Sequence, residues 1–174
     1  MTLPKSLIIM SFAFLSSFSL HAQDCKFDID KKDDFTGEHV RSIRHKIGAV
    51  YYNWVMLLEQ KGPKYYMTVI HEENGKINDI ITKGSKIFFK LEDGTVIDME
   101  LTDDAVPIHS IPSDKIVTTW MEKGELSKET MMKISKAGIS VIRLKIGSKD
   151  IDSPTATGKS ANKIREYAEC MLKD

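Results

Sequence analysis

Four histidines follow the first apolar segment of the chain, His39, His45, His71 and His109, and none stands at a spacing that a metal ion uses. Two ligands on one helix face need i, i+4 spacing, and His71-Glu72-Glu73 lacks the second histidine of an HExxH pair. The acidic run from Asp28 to Asp34 invites calcium. An EF-hand loop begun at Asp28 would put Asp33 where glycine must turn the chain and His39 where a bidentate glutamate must stand, so the run reads as a solvated charged stretch. Gly158-Lys159-Ser160 has the ending of a phosphate-binding loop, but Ser153 occupies the position of the first glycine and Pro154 lies between them. Those residues read as the start of a helix. No metal and no organic cofactor is expected. There is also no GxSxG elbow and no GxGxxG turn. A hydrolytic site assembled in space is still open, because catalytic groups converge in three dimensions and not along the chain; its candidates are His71, His109 and the pair Asp103-Asp104.

A second kind of chemistry is recognition. Four of the five tyrosines, Tyr51, Tyr52, Tyr65 and Tyr66, fall with Trp54 on one expected hairpin. Such side chains bury apolar area while keeping a polar atom in reach of a partner. These five residues are the candidate binding set, with packing inside the sheet as the competing role.

The elements that must position these residues are mostly strands. Lys26 to Asp30 and His39 to Ile47 read as short extended segments around a Thr36-Gly37 turn. Tyr51 to Gln60 and Lys64 to Glu73 are rich in aromatic and β-branched residues on either side of Gly62-Pro63. Centring the turn on Gly62 pairs Leu58 with Tyr66, Trp54 with Ile70, Leu57 with Met67 and Val55 with Val69, giving a ribbon apolar on both faces and therefore central in its sheet. In the next hairpin, a two-residue Asp93-Gly94 loop would set Phe89 opposite Asp98. A three-residue Glu92-Asp93-Gly94 loop instead pairs Phe89 with Ile97 and Ile87 with Met99, which keeps one face apolar, and requires Gly94 in the left-handed region.

Asp103 to Asp114, with two prolines, reads as an irregular connection before a strand from Lys115 to Met121. A helix follows, capped by Ser127, with Leu126 and Met131 placed as a hydrophobic staple and Gly138 as its stop. Ile139 to Ile146 alternates as a strand, with Ile142, Leu144 and Ile146 inward. A last helix from about Gly158 to Leu172 carries Ala161, Ile164, Ala168 and Met171 at helical spacing. The expectation is an α+β fold: a meandering antiparallel β-sheet with two helices, the second at the C-terminus.

The chain has 174 residues, with 25 Lys+Arg against 25 Asp+Glu and a hydrophobic fraction of 41%. That size suits one domain, and the zero net charge removes the positive field that non-specific nucleic-acid binding needs. At the start, Lys5 precedes an apolar run from Leu7 to Leu20, shorter than the roughly 18–20 residues a spanning helix requires. The run ends at Leu20-His21-Ala22, so residues 1–22 read as a signal peptide and 23–174 as the mature α+β domain, an uncleaved anchor being the other reading. Export would place Cys25 and Cys170 in an oxidising compartment near the two ends of the mature chain, where they are expected to form one structural disulfide. Gln23 and Asp24 before Cys25 disfavour lipid attachment there.

Several of these segments resemble small uncharacterised exported proteins of Bacteroidetes. They are the acidic lead into Phe35-Thr36-Gly37, the Lys83 to Lys86 strand opening, the Leu91 to Gly94 turn, the Leu126 to Glu129 helix start and the Gly138 to Arg143 strand. The resemblance implies export and carries no activity with it. Two classes therefore stand. One is an exported, non-enzymatic binding or interaction protein, periplasmic or extracellular, with an unknown protein or small-molecule ligand, no nucleic acid and no stable membrane insertion after signal cleavage. The other is a small periplasmic hydrolase.

Overall fold

The computed structural model describes residues 25–47, 54–153 and 158–173. Ten strands and two helices follow in the order β1 (Ile29–Lys32), β2 (His39–Ile47), β3 (Trp54–Lys61), β4 (Lys64–Asn74), β5 (Lys86–Leu91), β6 (Val96–Glu100), β7 (Ile108–Ser110), β8 (Val117–Leu126), α1 (Lys128–Ala137), β9 (Ile139–Ile146), β10 (Lys149–Asp152) and α2 (Lys159–Leu172). The fold is α+β with antiparallel strands and its second helix at the C-terminus. The strands divide between two sheets, one of six in the order β1-β2-β3-β4-β8-β7 and one of four in the order β10-β9-β5-β6.

β3 and β4 occupy the middle of the larger sheet, as a ribbon apolar on both faces demands. Their register differs from the expected one by a residue: Leu58 lies opposite Met67, Trp54 opposite His71 and Lys61 opposite Lys64. The loop is therefore Gly62-Pro63 alone. Gly62 has φ +53° and is followed by a residue whose ring fixes φ near −65°, the sequence of signs of a type II′ turn, which matches the twist of a tight hairpin. The slip has consequences for every side chain after it. Tyr65, Met67, Val69 and His71 turn inward, each buried, while Tyr66 turns outward.

The second hairpin has the expected three-residue loop. Phe89 pairs with Ile97 and Ile87 with Met99, and Gly94 has φ +86°. The helix after β8 also begins as the sequence indicates: the Thr130 N–H donates to Ser127 Oγ at 3.0 Å, and Gly138 follows the last turn. The strand expected from Lys115 to Met121 begins instead at Val117 and runs on to Leu126, through the polar stretch Glu122 to Glu125, because β4 offers it a full length of partners. Within the connection read as irregular, Ile108–Ser110 adds to the edge of β8, and β10 returns along β9.

The two sheets share one core. Met56, Leu58, Met67 and Trp120 from the larger sheet meet Phe89, Met99, Ile142 and Leu144 from the smaller one, with Met131, Ile134, Ile164 and Met171 from the helices. α2 packs against β2, β3, β9 and α1 and so spans both sheets. Where the end of β6 crosses β8, Leu101 bridges to Gly124. A Cβ at Gly124 would lie 2.5 Å from the Glu100 carbonyl oxygen, so only glycine permits that approach. Cys25 and Cys170 are bridged with Cα atoms 5.6 Å apart, tying the start of the described chain to α2.

Candidate binding surface

The outer face of the four-stranded sheet is built by simple alternation. On β5, Ile87, Phe89 and Leu91 enter the core, which leaves Lys86, Phe88 and Lys90 facing solvent; on β9, Ile142, Leu144 and Ile146 enter, leaving Arg143 and Lys145 outside. Across the strands Lys90 lies between Val96 and Val141, and Phe88 between Asp98 and Arg143. Phe88 is 42% exposed and Val96 61% exposed, an apolar patch where alternation would ordinarily place polar groups. These residues line an open groove of about 780 Å³ along β5 and β9.

The charges on this face are sorted by strand. All four cations, Lys86, Lys90, Arg143 and Lys145, stand on the two inner strands, whereas the acids Asp98, Glu100, Asp150 and Asp152 stand on the two edge strands. Arg143 grips Asp152 through two bonds, Nε at 2.6 Å and an Nη at 2.7 Å, and this hydrogen-bonded cation holds the Asp152 carboxyl below its ordinary range. Lys86 reaches Asp98 at 3.0 Å, which pushes the ammonium pKa up. Lys90 and Lys145 form no ion pair among the described residues.

The residues singled out by the sequence lie elsewhere. Trp54 and Tyr65 are 5% and 7% exposed and belong to the core, so neither stands on a recognition surface. Tyr66 is half-buried, with the Lys123 ammonium 5.1 Å from its ring centroid. Tyr51 and Tyr52 lie outside the described residues. His109 has its ring nitrogens 3.1 Å from Thr118 Oγ1 and 3.3 Å from Asn78 Oδ1. Asp104 accepts the Lys83 N–H and Asp103 the Thr102 hydroxyl, so no hydrogen bond joins these three to one another or to His71. In the acidic run, Asp33 accepts from the Thr36 N–H and hydroxyl and the Phe35 N–H, a local turn that lowers its pKa. Ser160 Oγ meets the His45 ring at 2.9 Å. Among the described residues no group of three or more His, Cys, Asp or Glu side chains could hold a metal ion.

His71 does have a carboxylate partner, which sequence reading missed. Its Nδ1 lies 3.1 Å from Glu122 Oε1, and both side chains are fully buried. The imidazole stacks on Trp120 with centroids 4.9 Å apart and planes 7° from parallel, and Trp54 stands 5.0 Å away on its other side. Trp120 is held by its own N–H donating to the Asp79 carbonyl at 2.9 Å. His71 Nε2 and Glu122 Oε2 have no hydrogen-bond partner among the described residues. Burial raises the Glu122 pKa, against the opposing effect of the hydrogen bond with His71. No signal along the chain marks this pair, since three other strands, β5, β6 and β7, lie in sequence between the two that bring it together. Phe88 was likewise not singled out from the sequence, although a signal for it exists: with Phe89 inward, its neighbour on the strand must face out.

Fold and surface together define an α+β protein of two antiparallel sheets whose smaller sheet presents an open amphipathic face. Compared with family models, with curated proteins and with solved structures, the chain matches none of them.

Proposed function

We propose that this is an exported, non-enzymatic binding protein that holds its partner on the outer face of the four-stranded sheet, without a metal or organic cofactor. The groove carries the proposal: an exposed phenylalanine and valine beside two cations with no ion pair among the described residues is a surface suited to an amphipathic partner. The Cys25–Cys170 bridge supports delivery to the periplasm or the extracellular space, since such bonds persist where thiols are not kept reduced. Among the described residues no helix is long and apolar enough to cross a membrane. A hydrolytic site would need its histidine and carboxylate open to substrate, and His71 and Glu122 are sealed from solvent.

Intact mass of the protein recovered from the periplasm or medium tests the export step. A chain beginning at Gln23 with the bridge intact is expected; a chain retaining residues 1–22 overturns it. For the surface, backbone amide shifts of the labelled protein should move on β5 and β9 when a partner binds, and chelation should leave that response unchanged. A hydrolytic activity lost on His71→Ala would replace the binding reading with the enzyme.

A further inference from the structure

Resting on that reading of the groove, we propose that its occupant is an acidic, extended segment of a partner protein, laid lengthwise over β5 and β9 with one apolar side chain on Phe88. The two cations without an ion pair set the spacing. Lys90 pairs across the strands with Val141, and Lys145 stands four residues further along β9, a separation of about 14 Å at roughly 3.4 Å per residue. Phe88, paired with Arg143, lies in the row between them. An extended peptide has the same rise, and its side chains at i, i+2 and i+4 point to one side. Acids at i and i+4 therefore reach Lys90 and Lys145 while an apolar residue at i+2 covers Phe88 and the adjacent valines.

The rest of the face sets the direction of that segment. Arg143 is occupied by Asp152 and Lys86 by Asp98, so neither competes for the ligand's carboxylates. In the rows of edge acids, Asp98 with Glu100 and Asp150 with Asp152, the charges least neutralised are Glu100, 4.0 Å from Lys86, and Asp150, which has no ion pair among the described residues, and they repel an acidic chain that crosses the strands or overhangs them. The same two rows of acids oppose the broad phosphate backbone of a nucleic acid.

The test is a titration of the labelled, purified protein with a capped nine-residue peptide carrying glutamate at positions 3 and 7, leucine at position 5 and threonine elsewhere. Control peptides carry glutamine or lysine in place of the glutamates. The glutamate peptide is expected to shift amides of β5 and β9, to bind about tenfold more tightly than the glutamine peptide, and to lose that advantage in 0.5 M salt. Lys90→Glu with Lys145→Glu, both at exposed positions, should remove the preference and transfer it to the lysine peptide. Equal binding of the glutamate and glutamine peptides at the groove overturns the acidic assignment and leaves the groove itself standing. No shift on β5 or β9 with any peptide overturns both. A uronate oligosaccharide that binds there more tightly than the peptide also overturns the assignment, in favour of a glycan.

Discussion

Glu122 sits fully buried beside His71 with one oxygen unpaired among the described residues, an arrangement whose cost depends on which proton state it adopts. Its carboxyl titrates above the ordinary value of about 4.5 because burial disfavours the charge. The unfolded chain releases this proton near that value and the folded chain keeps it to higher pH. The contribution of Glu122 to stability is thus complete below about pH 4.5 and is lost as pH rises toward its folded pKa, with a slope of up to about 1.4 kcal/mol per pH unit for one proton. Glu122→Gln keeps a group able to bond His71 and cannot ionise. Melting temperatures from pH 4.5 to 8 should show the variant gaining on the native protein as pH rises; parallel curves would contradict the argument. Nearby, the stack of His71 on Trp120 offers a direct optical probe, since tryptophan emission should respond to a change at this position.

At the scale of elements, glycines with different duties should respond differently to one added carbon. Gly94 has φ +86° and open space where a Cβ would stand, so Gly94→Ala should cost about 1 kcal/mol through backbone conformation alone. Gly124 has ordinary φ but no room: a Cβ there meets a carbonyl oxygen of β6 at 2.5 Å. Gly124→Ala must push the two sheets apart or bend β8, at a cost of about 1–3 kcal/mol or more. Urea unfolding of both variants checks the order, and a Gly94 variant the more damaged of the two would refute it. The start of α1 is a third such point, since Ser127→Ala removes the acceptor of the Thr130 N–H and should cost about 1 kcal/mol in the same assay.

Taken as a whole, the molecule is held by one core shared between two sheets and by one covalent tie. The bridge closes a sequence separation of 145 residues, for which loop entropy gives up to about 4–5 kcal/mol. Replacing Cys25 and Cys170 together by serine should lower stability by an amount within that limit while preserving the fold, because Met131, Ile164 and Met171 still pin both helices to the sheets. Circular dichroism and denaturant titration of the double variant would show this, and a loss of helix in native buffer would show instead that α2 depends on the bond.

Local pattern was enough for much of this architecture. Alternation in Lys86 to Leu91 and Ile139 to Ile146, the Ser127 cap and the helical spacing of Ala161, Ile164, Ala168 and Met171 each determine an element, because each depends on neighbours within a few residues. The same alternation determines that Phe88 faces solvent. Turn geometry at Gly62-Pro63 was decided by a pairing that could slip by one residue with little change in local pattern, and that slip sent Tyr65 and His71 into the core and Tyr66 out of it. The union of His71 with Glu122, the closure of two sheets over Gly124 and the sorting of cations and acids into strands are long-range facts. They follow from which strands become neighbours, and that is decided by the tertiary burial of apolar faces, to which no short stretch of sequence is a guide.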